Sequence, residues 1–167
     1  MHININGGNH MYSTKELIDI AIGIEETGVY FYTKFKEKFK DESFKQIFQF
    51  LADEELRHRD VFSGMLKKLN DNEGLFTQEY YSYLKALGTT RVFANKDDID
   101  KIAPSLHTPL DIIKIAMDAE RDSIVWYSEL KEIYRNDIKA KDILDQLINE
   151  ERKHVLMLLD LKEKLSM

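Results

Sequence analysis

No cysteine occurs among the 167 residues. That excludes disulfides, thiolate-bound zinc, iron–sulfur clusters and thiol catalysis in one step. Any metal is left to carboxylate and imidazole, a donor set suited to iron, manganese or zinc. Proline is nearly missing, with 2 residues, and glycine is sparse, with 7. A chain so poor in both breakers fits a strongly helical fold rather than a turn-rich β one. Lys and Arg number 24 against 30 Asp and Glu, for a formal charge of −6. A nucleic-acid partner would need the opposite balance. No apolar run approaches the roughly 18 residues of a bilayer span, and no basic-plus-apolar leader opens the sequence. The expectation is a cytoplasmic protein with neither membrane nor nucleic acid as partner.

What is present is amphipathic. Hydrophobic residues make up 43% and charged residues 32%, enough for one domain with a real core. Residues 1–12, with Gly7, Gly8 and Asn9, read as a loose leader, and residues 13–167 as a single domain. Ser13-Thr14-Lys15-Glu16 has the spacing of a capping box. It predicts a first helix over 14–40, with seam residues Ile18, Ala21, Glu25, Gly28, Tyr32, Phe35 and Phe39. Asp41 suits the cap of a second helix over 42–69, whose seam runs from Phe44 through Glu55, His58 and Phe62 to Leu69. Thr108-Pro109 starts a third over 109–135, with Ala116, Glu120, Ser123, Tyr127 and Tyr134 in phase. Asn136 or Asp137 caps a fourth over 137–165, its seam carrying Leu147, Glu151, His154 and Leu165.

Seam steps of 3 and 4 in four long segments predict an all-α, left-handed, near-antiparallel four-helix bundle. Short loops join the first helix to the second and the third to the fourth. The crossover over 70–108 opens with a helix stop at Asn70–Gly74. A short helix over Thr77–Leu87 follows, with Tyr80, Tyr81, Tyr83, Leu84 and Leu87 covering the bundle, and then one helical turn near Asp97–Ile102. A connection of that length has to travel. It crosses the full bundle and gives an up-down-down-up order.

Two Glu-x-x-His steps, Glu55–His58 and Glu151–His154, lie on the second and fourth seams. One alone would mean little. Each is matched by a glutamate on the preceding helix, Glu25 and Glu120, and the two halves share a register. Ala21-Ile-Gly-Ile-Glu25 with Tyr32 aligns with Ala116-Met-Asp-Ala-Glu120 with Tyr127. Residues three apart share a helix face, so each Glu and its His point inward together. Four ionised carboxylates in one apolar layer would cost several kcal/mol each in desolvation, with mutual repulsion added. Two divalent cations cancel those charges and leave the imidazoles as neutral donors. The balance favours a dinuclear metal site over a buried polar network or surface charges mis-phased by one residue.

On Ile24-Glu25-Glu26-Thr27-Gly28, Ala52-Asp53-Glu54-Glu55-Leu56-Arg57-His58, Glu120 with Tyr127, and Glu150-Glu151-Arg152-Lys153-His154, the chain resembles the rubrerythrin-like branch of the ferritin-like superfamily over roughly 13–165. The resemblance implies a ferritin-like topology and two iron ions, with manganese or zinc fitting the same ligands. It implies metal ligands Glu25, Glu55, His58, Glu120, Glu151 and His154. Glu55 and Glu151 would bridge, Glu25 and Glu120 would be terminal, and each histidine would hold one ion. The implied activity is reduction of hydrogen peroxide or dioxygen with oxidation of Fe(II), in a homodimer. Two departures stand out. The four-cysteine iron site of the best-known rubrerythrins is missing, so an external electron donor protein is implied. The further glutamate those proteins carry one turn after the third-helix ligand is Ser123 here, with Gly28 as its counterpart, which speaks against a dedicated peroxidase.

The remaining residues divide by phase. Glu25 is the inward member of the Glu25–Glu26 pair. Tyr32 and Tyr127, two turns on, are the candidate catalytic residues, as partners of ligand carboxylates or electron donors; the alternative is amphipathic core. Gly28 and Ser123 either leave space for an oxidant or let helices approach. Trp126 is expected to pack, and His2, His10 and His107 to be exposed. Glu54 and Glu150 fall on a solvated face, with Asp53 and Asn149 as outer partners of the imidazoles. Two other functions share this ligand set: iron sequestration or sensing without turnover, and a structural metal pair.

Overall fold

The computed structural model describes residues 14–68, 77–93 and 95–166. The leader, Ser13, Leu69 and Asn70–Gly74 lie outside the described residues, as do His2 and His10. Among the described residues there is no strand. Helices run α1 Thr14–Phe35, α2 Glu42–Lys68, α3 Gln78–Thr89, α4 Lys96–Ile102, α5 Pro109–Ile133 and α6 Ile138–Lys164. Single 3-10 turns occupy Lys36–Lys38 and Ala103–Ser105.

The caps explain where these helices begin. Asp41 accepts from the amide of Ser43 at 2.8 Å ahead of α2. Asn95 and Asp98 form a capping box on α4. Thr108 and Asp111 form another on α5, with Pro109 in the first turn where its missing amide costs nothing. Asp137, rather than Asn136, caps α6 through the amide of Ala140. The first helix, expected to reach Lys40, leaves α-helical geometry at Phe35. Phe39 turns to extended backbone, φ −85° and ψ 139°. That lets its ring enter the core against Phe48, with ring centres 4.5 Å apart.

Helix α1 packs along α2, and α5 along α6, with lighter contacts joining α1 to α5 and α2 to α6. Two apolar clusters fix their directions. One gathers Phe31 and Phe35 from the end of α1, Phe48 and Leu51 from early α2, Ile113 and Ala116 from early α5, and Leu158 and Leu161 from late α6. The other gathers Leu17 and Ala21, Phe62 and Met65, Tyr127 and Leu130, and Leu144 and Leu147. The α1–α2 and α5–α6 pairs are therefore antiparallel, while α2 and α5 run the same way. The connection between them travels the length of the bundle. On that path α3 lies on α5 and α4 on α1, with Leu84 in one apolar cluster and Phe93 and Ile99 in the other. Tyr83, expected to cover the bundle, points outward at 45% exposure. Its hydroxyl and that of Tyr80 both donate to Glu129 at the surface.

Candidate metal centre

Each of the four long helices is apolar on both sides of one interruption. Ile24 is followed by Glu25, Ala52 by Glu55 and His58, Met117 by Glu120, and Ile148 by Glu151 and His154. Apolar contacts hold those flanks, so the polar residues have no freedom to swing out to water. All six are at most 4% exposed. The tilt that buries Glu25 leaves Glu26 on the surface.

The six side chains converge as two overlapping groups. Glu25, Glu55, His58 and Glu151 offer ligand atoms within 4.8 Å of one another, and so do Glu55, Glu120, Glu151 and His154. Glu55 and Glu151 belong to both groups. The two imidazoles lie nearly parallel across the layer, 5.6 Å between ring centres.

Several atoms in the layer have nothing to bond. Glu25 Oε2, His58 Nδ1, Glu120 Oε2 and Glu151 Oε1 are buried without a hydrogen-bond partner. His58 Nδ1 does lie 2.8 Å from Glu151 Oε1, but off the line a hydrogen bond requires. Buried acceptors without donors are costly. Four of them facing one another are what cations between them would satisfy, so the residues fit a pair of metal ions.

The titration of the metal-free layer carries the same strain. Burial, then the charges of Glu151 and Glu120, lift the Glu55 carboxyl from 4.5 to about 8. Burial raises Glu25, with Glu55 adding to it, and burial raises Glu151, with Glu120 adding to it. Burial opposes the charge on Glu120 too, but the adjacent Glu151 and His154 and the hydroxyl of Tyr32 outweigh it and hold its pKa below the usual value. His154 is desolvated yet lifted to about 11 by the neighbouring carboxylates of Glu120 and Glu151, the latter hydrogen-bonded to it at 3.0 Å. Burial lowers His58. Without metal the layer is relieved by protons and one internal ion pair.

Around these six residues, each half reaches into the other. Tyr32 of α1 donates its hydroxyl to Glu120 of α5, and Tyr127 of α5 donates to Glu25 of α1. The sequence placed both tyrosines near the layer but gave no sign of this exchange. Trp126 is buried core, and His107 is exposed.

The outer partners of the imidazoles correct the expectation. Asp53 accepts from Gln49, and Asn149 from Arg152, so neither serves a histidine. Glu150 does. Its Oε2 lies 3.1 Å from His58 Nε2, which leaves Nδ1 facing the layer. Arg57, which sequence reasoning passed over, bonds both Glu54 and Glu150 at 2.8 Å. The two carboxylates expected on a solvated face are thus gathered by one guanidinium above His58. The signal for it was cross-helix register, which a lone helical wheel does not supply.

On the α1–α5 side, a cavity of about 30 Å³ reaches Gly28, Tyr32, Glu55, Glu120 and Ser123. A β-carbon on Gly28 would stand 3.0 Å from Glu55 Cδ and 3.1 Å from Oε2. Gly28 therefore leaves the space that the Glu55 carboxylate occupies. Ser123 turns its hydroxyl onto the Ala119 carbonyl at 3.2 Å.

Comparison with known proteins agrees with this arrangement. The family model described as rubrerythrin matches residues 16–162. The crystal structure of a Thermotoga maritima protein described as a ferritin-like diiron-carboxylate protein superposes with a TM-score of 0.72 at 25% identity. That match covers 93% of this chain and 98% of the other. No curated protein matches the sequence significantly.

Proposed function

Because the chain belongs to the rubrerythrin family, we propose that it holds two iron ions in this layer and reduces hydrogen peroxide or dioxygen at their expense. The observation that carries the reading is the set of four partnerless buried ligand atoms, shared between two groups that have Glu55 and Glu151 in common. Glu25 and His58 would hold one ion, Glu120 and His154 the other, with Glu55 and Glu151 between them. When bound, ferrous ions supply one electron each, so the pair matches the two-electron reduction of peroxide to water, with two protons taken up.

The chain's own residues supply the rest. Tyr32 and Tyr127 fix the terminal glutamates so that a free oxygen of each faces inward. Glu150 fixes the ring of His58. The two apolar clusters keep water from both ends of the layer. Gly28 and Ser123 border the cavity where a small oxidant fits beside Glu55 and Glu120. With no cysteine in the chain, electrons to reset the pair come from a separate donor protein, and the working unit is a homodimer.

Anaerobic loading with ferrous iron, followed by rapid mixing with peroxide and with dioxygen, tests the proposal. The expected result is two irons per chain and a fast rise of near-ultraviolet oxo–ferric absorbance, the faster oxidant marking the substrate. Less than one metal per chain, or tightly held zinc with no oxidation, overturns it.

A further inference from the structure

The two halves of the polar layer match in the residues that would hold metal, but not in what stands behind the imidazoles. Behind His58 is a carboxylate: Glu150 Oε2 lies 3.1 Å from Nε2, while Nδ1 turns to the layer. Arg57 Nη2 donates to the same oxygen at 2.8 Å and lies 3.2 Å from Nε2. A carboxylate only accepts, so Nε2 carries the proton and Nδ1 is left free. His154 also turns Nδ1 to the layer, 3.0 Å from Glu151 Oε2. Among the described residues, however, no hydrogen bond reaches its Nε2. The ring that packs against it is Phe50, edge to face with 6.4 Å between centres.

The internal repeat shows where the difference arises. The counterpart of Glu150 is Glu54, and that of Arg57 is Lys153. Glu54 stands one turn along α2 from Phe50 on the same face, so it is the carboxylate the repeat places for His154. Arg57 takes it instead. Its Nε donates to Glu54 Oε1 at 3.2 Å and its Nη2 to Oε2 at 2.8 Å. A planar guanidinium can grip two carboxylates, where an ammonium is a single point of charge. Lys153 is exposed and makes no ion pair among the described residues. One arginine thus holds a carboxylate at His58 and withholds one from His154.

A carboxylate behind a ligating imidazole fixes its tautomer and raises its basicity, and losing one typically costs about 10–100-fold in metal affinity. The half without such a partner is also the half that small molecules can reach. The cavity of about 30 Å³ borders Glu120 and the shared Glu55, but neither Glu25 nor His58. We infer that the two metal positions are unequal by construction. The position at Glu25 and His58 fills first and keeps its ion; the one at Glu120 and His154 is the exchangeable position that meets the oxidant. Arg57 and Glu150 are the positioning residues that set the difference. The inference rests on the proposed two-metal reading and gives each position a separate task within it.

Cobalt(II), titrated into metal-free protein against a chromogenic chelator and followed by its visible absorbance, resolves the two steps. The first is expected to be tighter than the second by about tenfold or more. Repulsion between two dications would also separate the steps, so the order of filling decides. His154→Ala is expected to keep the tight first equivalent, and His58→Ala to lose it. Glu150→Gln, which keeps the shape and removes the charge, is expected to weaken the first step and so narrow the ratio of the two affinities. Arg57→Gln releases Glu54 and is expected to narrow that ratio with a gain at the second step, which mere loss of structure would not produce. Circular dichroism checks each fold, and if a variant at a buried position fails to fold, Arg57→Gln, at an exposed one, carries the test. Two steps of equal affinity, a tight first equivalent that survives His58→Ala, or a ratio unmoved by Arg57→Gln overturns the inference. Fewer than two ions per unaltered chain would overturn the two-metal reading along with it. Unequal binding with no oxidation by peroxide or dioxygen would instead defeat the oxidant chemistry alone and leave the inference standing.

Discussion

Gly28 faces Glu55 at a distance no side chain tolerates comfortably. In the middle of α1 an alanine would normally be the better helix former by about 1 kcal/mol. Gly28→Ala is therefore expected to hold or raise the melting temperature while pushing Glu55 off its position. Metal affinity should fall at least tenfold, measured by competition with a chromogenic chelator; unchanged affinity would mean that Glu55 moves freely. The tyrosines act by a different route. Tyr32→Phe and Tyr127→Phe each remove the one donor to a ligand carboxylate oxygen, and loss of such partners typically costs about 10–100-fold in metal affinity. Since the two bonds are exchanged between halves, the variants should show similar losses. A deficit in only one would break the equivalence. The burial and convergence of the six Glu and His side chains were legible from spacing, because they fall on the seam positions of four amphipathic helices. The cluster of Arg57 and Glu150 at His58 was not, because it depends on which surface faces meet, and helical phase fixes faces only within one helix.

Among the elements, the long helices could be read from seam periodicity, whereas their ends depended on caps and turns. Asp41, Thr108 and Asp137 are caps the sequence announces. The stop at Phe35 is not announced, because the residues after it are good helix formers and the break serves the burial of Phe39. The tyrosines after α2 follow the same logic: their apolar rings suggest burial, but Glu129 on α5 offers two of them a surface acceptor. The capping box on α5 makes a clean test of the element. Thr108→Ala removes the acceptor for the Asp111 amide and the donor to its carboxylate. A cap of this kind is worth about 1 kcal/mol, or about 2–4 °C of melting temperature in a chain of this size. Metal stoichiometry should stay the same, since Glu120 lies three turns further along α5. A loss of bound metal in this variant would show that the start of α5 positions the site, against the packing argument.

For the molecule as a whole, the polar layer divides one hydrophobic core into two, and its stability is tied to what fills the division. The metal-free protein relieves the layer by favouring the protonated forms of Glu25, Glu55 and Glu151, all raised first by burial and then by neighbouring carboxylates, Glu120 among them. A carboxyl whose folded pKa lies above its unfolded value stabilises the fold fully below the unfolded value, and that contribution is lost as pH rises through the folded one. For Glu55 the window runs from 4.5 to about 8. His154, raised from 6.5 to about 11, adds a loss in the same direction at the upper end. His58, lowered by burial, opposes it as a single group, and Glu120, held below its usual value, contributes above 4.5 and changes little in this window. The metal-free melting temperature is therefore expected to fall as pH rises from 5 to 8. Metal binding requires the same carboxylates deprotonated, so its contribution grows over that range. Calorimetry with and without bound cobalt(II) should give two curves that diverge with pH, the metal-free one descending. A metal-free curve that is flat or rising would mean that the layer opens to water without metal, and the four partnerless ligand atoms would then no longer argue for a preformed site.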